Sequence, residues 1–76
     1  MKSKYSMTFG QRLRMLLDER KMSQKELANR IMYNHSAISY WCADACEPRL
    51  TAIAALSKEF GVSTDYLIFG EESNAD

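Results

Sequence analysis

The sequence predicts an all-α fold, a compact domain of five helices, on three observations. Apolar residues recur at helical spacing in five successive segments. Ser, Thr or Asn precedes four of these segments, where its side chain can cap a helix. The chain has 76 residues, enough for one small core, because chains of this size bury only about 60% of their unfolded surface.

The first helix is predicted from Thr8 to about Arg20. Thr8 can cap this helix, and Gln11 stands at the reciprocal position of a capping box. Its buried face should carry Phe9, Leu13, Leu16 and Leu17. Residues 1–7 are mostly polar, and we expect them to form a flexible arm.

The second and third helices are predicted over residues 24–31 and 35–42, with a tight turn between them. Ser23 can cap the second helix, with Glu26 completing a capping box, and Asn34 can cap the third. The third helix should turn four residues away from the core: His35, Ser36, Ser39 and Tyr40. A short helix with a small polar outer face suits the major groove of B-DNA, so sequence-specific DNA binding is the leading interpretation.

The fourth and fifth helices complete the predicted domain. Pro48 stops any continuation of the third helix, and the fourth is expected over residues 50–60, with Gly61 ending it. Its inward side chains should be Leu50, Ile53, Ala54, Leu56 and Phe60. Ser63 can cap a short fifth helix, which Gly70 ends.

Charge is divided unevenly along the chain. The helices define one domain over residues 8–70, followed by an acidic tail at 71–76 that we expect to be flexible. Residues 1–58 hold all 10 Lys and Arg with five acids, whereas residues 59–76 hold five acids and no base. A basic body can bind DNA phosphates, whose neutralisation supplies most non-specific affinity. An ordinary solvated surface with a solubilising tail would show the same division.

Other functional classes have little support in the sequence. There is no run of 18 apolar residues and no apolar segment after the first residues, so we expect a cytoplasmic protein with no membrane span, in which Cys42 and Cys46 are reduced. Two thiols and a distant His35 do not make a four-ligand zinc set. No catalytic constellation or phosphate-binding loop is present. We therefore expect no enzyme activity, cofactor, metal or small-molecule ligand.

The order of these elements resembles the DNA-binding domain of lambda-repressor/Cro-type regulators, the XRE family of helix-turn-helix proteins. The motifs that carry the resemblance are Arg-Leu-Arg (12–14), Ser-Gln-Lys-Glu-Leu-Ala (23–28), Ser-Ala-Ile-Ser-Tyr-Trp (36–41), Glu-Pro (47–48) and Leu-Ser-Lys-Glu-Phe-Gly-Val-Ser-Thr-Asp-Tyr-Leu (56–67). Each is weak alone, but their order and spacing are highly specific. The resemblance implies a phage- or prophage-type transcriptional repressor that binds a pseudo-palindromic operator in double-stranded DNA as a homodimer.

The resemblance also implies roles for individual residues. Base contacts would come from the outer face of the third helix, through His35, Ser36, Ser39 and Tyr40. Gln24 would bind a phosphate and brace the third helix, at a helix N-terminus whose free amides attract anions. Ala43 would approach a phosphate through its backbone. Further phosphate contacts would come from Arg12, Arg14 and Arg49.

Two departures from the family pattern are informative. Met32 stands in the inter-helix turn where the family often has Gly with a positive φ, and we expect its flexible side chain to be buried. Leu17 and Cys42 stand where the family tends to place an Arg and a Glu that form an ion pair. Loss of both charges can be neutral, whereas loss of one would leave a buried charge unpaired. We therefore expect Leu17 and Cys42 to touch.

The fifth helix carries more apolar surface than it can bury beneath the fourth. Part of it should form an isologous dimer contact, through Tyr66, Leu67, Ile68 and Phe69. Two alternatives remain open. An antitoxin-like or other protein-interaction module on this fold would use the same surface to hold another protein. A DNA-binding fragment of a larger repressor would have the same sequence pattern.

Overall fold

The computed structural model describes residues 7–70, which form five α-helices and no strand. The helices are α1 (Phe9–Arg20), α2 (Gln24–Ile31), α3 (His35–Cys42), α4 (Leu50–Phe60) and α5 (Thr64–Phe69). The all-α prediction and the predicted helix bounds are confirmed. The arm and the tail that the sequence predicts lie, apart from Met7, outside the described residues. None of the five helices is long and apolar enough to cross a membrane.

Each helix contributes one side chain with no exposed surface to a single core. In the order α1 to α5 they are Leu13, Leu27, Ile38, Leu56 and Leu67. Burial of each stabilises the fold by about 1.5–3 kcal/mol. Helix α3 packs against both α1 and α2, so its apolar face is covered and its opposite face lies on the surface.

Local capping explains where several helices begin. Thr8 and Gln11 form the complete predicted capping box, with the Gln11 amide donating to the Thr8 hydroxyl and the Thr8 amide donating to Gln11 Oε1. Ser23 accepts from the amide three residues later at the start of α2, and Ser63 does the same at the start of α5. These bonds satisfy amides that the helices themselves leave without partners.

Two predicted capping contacts at α2 and α3 are wrong. Asn34 stands at the N-cap position of α3, but its side chain caps none of the amides in the described part of the chain. The Glu26 carboxylate does not complete a capping box; it lies 3.5 Å from Arg30. Arg30 also reaches Glu59 at 3.1 Å, so the charge that was expected to cap α2 takes part in a link from α2 to α4.

The inward face of α4 also differs from the prediction. Leu50 and Ala54 were expected inside, but both are exposed, Leu50 at 82%. Ala52 is buried in their place, because the stripe that meets the core passes through Ala52, Ile53, Leu56 and Phe60. Leu50 lies in the first turn, off this stripe, and leaves an apolar side chain in solvent.

The turn between α2 and α3 has the predicted backbone but a different apolar anchor. Met32 has φ 62°, the positive φ that the family resemblance implies at this position. Its side chain is 89% exposed, so the expectation that it is buried is wrong. Tyr33 closes the turn instead: its amide donates to the Ala28 carbonyl at 2.9 Å, and its ring packs edge-on against Trp41, with centroids 5.4 Å apart. Met32 therefore bears a strain of about 1–2 kcal/mol without burying its side chain.

Candidate nucleic-acid interface

The outer face of α3 is polar, and it is exposed at both ends of the helix. His35 and Ser36 are exposed at its first turn, and Tyr40 is 56% exposed near its end. Ser39 lies between them and is partly buried. The opposite face buries Ile38, Trp41 and Cys42. An eight-residue helix held on one side in this way fits a major groove about 12 Å wide.

Gln24 braces this helix. The Ser39 hydroxyl donates to Gln24 Oε1 at 2.8 Å, which joins the first residue of α2 to the middle of α3. The amide oxygen of Gln24 accepts this bond, and its amide nitrogen can still donate to a group outside the protein. The Ser23 hydroxyl accepts from the Glu26 amide, and the helix itself provides no partner for the amides of its first two residues.

A shallow depression lies between α1 and the start of α2. Arg14 and Lys21 line it together with Gln24, and Asp18 is the one acid among the lining residues. Two cations and the amino-terminal end of α2 therefore contribute positive charge to this depression, against the single acid Asp18. This arrangement favours an anion.

Arg12, predicted as a phosphate ligand, is turned into the domain. Only 4% of the residue is exposed. Its Nε and one terminal nitrogen donate to the Leu67 carbonyl at 3.1 and 2.9 Å, and that nitrogen also donates to the Ile68 carbonyl at 3.1 Å. Its other terminal nitrogen donates to the Met7 carbonyl at 3.0 Å. The prediction is corrected on this point: the guanidinium ties α1 to the last turn of α5, and its burial leaves no face for a phosphate.

The loop after α3 also departs from the prediction. The Ala43 backbone was predicted to approach a phosphate, but its amide donates to the Ser39 carbonyl at 3.0 Å, completes the end of α3 and is not available as a donor. The next two amides, of Asp44 and Ala45, likewise donate back to carbonyls of α3. Arg49 is exposed at the N-cap position of α4, where its side chain forms no capping bond within residues 7–70.

Sequence analysis missed a contact between this loop and the start of α1. Asp44 adopts φ 59° and accepts from the Gly10 amide at 2.9 Å and from the Thr8 hydroxyl at 2.6 Å. A Cβ atom at Gly10 would lie 2.5 Å from the Cys42 carbonyl oxygen and 2.7 Å from that of Trp41, so the close approach requires glycine. The partners are 34 and 36 residues apart, and the only sequence signal was a glycine inside a helical pattern.

The pKa values of the Asp44 carboxyl and the Cys42 thiol shift in opposite directions. The hydrogen bonds from Thr8 and then Gly10 lower the pKa of the Asp44 carboxyl. Burial raises the pKa of the Cys42 thiol, and the nearby charge of Arg14 opposes this. Leu17 and Cys42 are 5% and 3% exposed and belong to the same core cluster, so the junction of α1 and α3 is apolar at both positions. Their direct contact stays a prediction.

The apolar residues of α5 divide into two groups. Leu67 is fully buried and Tyr66 packs against the core, so the proposal that both form a dimer contact is corrected for Leu67. Ile68 and Phe69 are 44% and 63% exposed. Ile68 and the exposed Leu50 line one groove, together with Phe9, Glu47, Pro48 and Ile53. The exposed apolar surface is thus shared by α4 and α5.

The tight α2–α3 turn and the exposed polar face of α3 define a helix-turn-helix DNA-binding domain. The family model described as "Helix-turn-helix" matches residues 13–67. The chain belongs to this helix-turn-helix family.

Two curated relatives are transcriptional regulators. The HTH-type transcriptional activator BcrR of Enterococcus faecalis is 32% identical over 66 residues, which are 87% of this chain and 32% of the relative. The HTH-type transcriptional regulator DicA of Escherichia coli (strain K12) is 31% identical over 67 residues, 88% of this chain and 50% of the relative. The chain therefore spans about a third and a half of the lengths of these proteins.

A solved structure has the same fold. It is the crystal structure of the P22 c2 repressor protein in complex with synthetic operator 9T in the presence of Tl⁺. The TM-score is 0.82 at 32% sequence identity, and the match covers 87% of this chain and all of the other. The fold is therefore that of lambda-repressor-like DNA-binding domains.

Proposed function

We propose that the chain binds an operator in double-stranded DNA sequence-specifically through α3 and acts as a transcriptional repressor by occupying that site. The observation that carries this proposal is the accessible polar face of α3, in a fold that matches a repressor crystallised with operator DNA. One curated relative is named an activator, so the sign of regulation is the part of the proposal that needs a separate test.

Base recognition is assigned to the outer face of α3. His35 and Ser36 lie at its amino-terminal turn, where helix-turn-helix proteins contact base edges. Ser39 and Tyr40 lie one turn further on. Imidazole and hydroxyl groups can donate to or accept from base edges, and the Tyr40 ring can meet a thymine methyl.

Phosphate binding is assigned to the amino-terminal end of α2. Gln24, at the amino-terminal end of α2, and Arg14 line one depression. Together they supply hydrogen-bond donors and positive charge, the features that position a protein on the DNA backbone. Arg49, exposed at the N-cap position of α4, is a further candidate, whereas the buried Arg12 and the bonded Ala43 amide are not proposed as phosphate contacts.

Dimerisation is assigned to the exposed apolar surface of α4 and α5. Its exposed apolar side chains are Leu50, Ile68 and Phe69, while Tyr66 is partly buried against the core. A two-fold axis at this surface would set two α3 helices one duplex turn apart, about 34 Å. Dimers of this type select inverted repeats.

In vitro selection from random duplexes tests the proposed function. The expected result is an inverted repeat with half-sites centred about 10–11 bp apart, bound far more tightly than random DNA. An asymmetric site saturated by one protein molecule would contradict the dimer.

Weak, unselective DNA binding combined with a protein partner that copurifies with the chain would favour the alternative, an interaction module on the same fold. A promoter carrying the selected site should then lose transcription when the protein is supplied.

A further inference from the structure

The hydrogen bond between α2 and α3 limits which base atoms Ser39 can read. A serine hydroxyl has one proton and two lone pairs. The Ser39 proton is directed at Gln24 Oε1, 2.8 Å away. Only lone pairs then remain for a base, so Ser39 accepts a hydrogen bond and does not donate one.

The position of Gln24 at the start of α2 explains why Ser39 is the donor in this hydrogen bond. In the reverse orientation the Gln24 amide nitrogen would donate to Ser39, and the amide oxygen would point outward. Gln24 is the first residue of α2, whose positive dipole end attracts a phosphate. An outward oxygen would repel that phosphate, whereas an outward N–H group would bind it. Phosphate binding therefore reinforces the observed direction of the Ser39 bond.

We infer that Ser39 selects a base with an exocyclic amino group, adenine or cytosine, at one position of each half-site. The inference rests on the proposed DNA binding through α3. In the major groove adenine N6 and cytosine N4 donate hydrogen bonds, whereas guanine O6 and thymine O4 accept them. A Ser39 oxygen whose proton is held by Gln24 attracts the amino bases and repels the keto oxygens. Gln24 is thus a positioning residue for base selection in addition to being a phosphate ligand.

Affinity measurements on the selected site and its single-base variants test this assignment. The wild-type protein should prefer the amino base at the Ser39 position over the corresponding keto base by about threefold to tenfold, the worth of one neutral hydrogen bond. Ser39→Ala removes the acceptor and should lose this preference while leaving other positions unchanged. Because alanine is a strong helix former, α3 should persist, which circular dichroism checks.

Two substitutions of Gln24 separate its two roles. Gln24→Ala frees the Ser39 proton to turn toward a keto oxygen, so it should abolish the amino preference and also weaken binding to every duplex. Gln24→Glu keeps an acceptor for Ser39 but replaces the phosphate donor with a negative charge. It should weaken binding to every duplex and retain the preference. Equal loss of the preference in both variants would overturn the inference.

A base analogue provides the matching test on the DNA. Replacing the selected base with an analogue that lacks the amino group should weaken wild-type binding about as much as Ser39→Ala does, and should not weaken Ser39→Ala further. If the wild-type protein selects a site but Ser39→Ala changes no base preference, this inference fails and the proposed function stands. If no sequence is enriched at all, the proposed function fails, and the inference with it.

Discussion

The two sides of α1 are attached to the domain in different ways, although similar residues face each side. Toward α5, Arg12 is buried and donates to the carbonyls of Leu67 and Ile68. Toward α3, Arg14 is exposed; burial raises the pKa of the Cys42 thiol, and the positive charge of Arg14 opposes that shift without reversing it. Two arginines separated by one leucine therefore have unrelated tasks, the first in holding the fold and the second at the surface proposed for DNA.

The largest expected effect concerns the apolar junction on the α3 side. Leu17→Arg places a charge at a position that is 5% exposed and should destabilise the domain by about 3–5 kcal/mol. Cys42→Glu alone should likewise destabilise, because burial and the nearby Asp44 carboxylate disfavour a negative charge at this position and Arg14 only partly offsets them. If residues 17 and 42 touch, the double variant recovers much of the loss as a coupling energy. Thermal melts of the four proteins measure it, and simple additivity would show that the two side chains are not in contact.

On the α5 side, Arg12→Met should destabilise by about 2–4 kcal/mol, because carbonyls that receive a charged donor would lose it. For a domain of this size that corresponds to a melting temperature lower by about 10–25 °C. Arg14→Met, two residues away and exposed, is the matched control and should change stability by less than about 0.5 kcal/mol. Similar losses in the two variants would remove the distinction between the two sides of α1.

The exposed Arg14, and not the buried Arg12, should affect how DNA affinity depends on salt. Arg14→Ala should flatten the slope of log K against log salt concentration by about 1 per subunit, because one phosphate contact is lost. Gln24→Ala should weaken binding without this change in slope, since it carries no charge. An unchanged slope for Arg14→Ala would show that phosphates do not bind at the depression lined by Arg14 and Gln24.

The smallest expected effect is the pH dependence of the Asp44 contact. Its carboxyl has a lowered pKa in the folded state, so the bond to Thr8 and Gly10 stabilises the fold above the unfolded value of about 3.9 and is lost as the pH falls through the folded value. Asp44→Asn keeps a residue that tolerates a positive φ. The variant should melt below wild type at neutral pH, and the gap should close in acid. A gap independent of pH would assign the effect to shape and not to charge.

The helices themselves could be predicted because their signals are local. The hydroxyl caps at Thr8, Ser23 and Ser63, with Gly61 and Gly70 at helix ends, fix the bounds from a few neighbouring residues. Periodicity alone cannot show which part of a face meets another helix, and so it predicts Leu50 and Ala54 inside, whereas both are exposed. These errors arise because burial depends on where the partner helices lie.

The polar contacts of α1 could not be predicted for a related reason. Arg12 bonds to residues 55 and 56 positions later, and Asp44 to residues 34 and 36 positions earlier. No local pattern distinguishes Arg12 from Arg14 before the fold brings α5 beside one and not the other. Within α3, periodicity correctly predicted that His35, Ser36 and Tyr40 face away from the core, and their contacts with bases stay a prediction.

The central claim is that the outer face of α3 reads base sequence. The most direct measurement is the affinity of His35→Ala and of Ser36→Ala for the selected site and for random duplex DNA at one salt concentration. Each variant should lose about 1–3 kcal/mol on the selected site, relax the preference at one base position per half-site, and bind random DNA almost as wild type does. Equal losses on the two DNAs would contradict the account, because they would mean that these side chains contact the backbone and do not read bases.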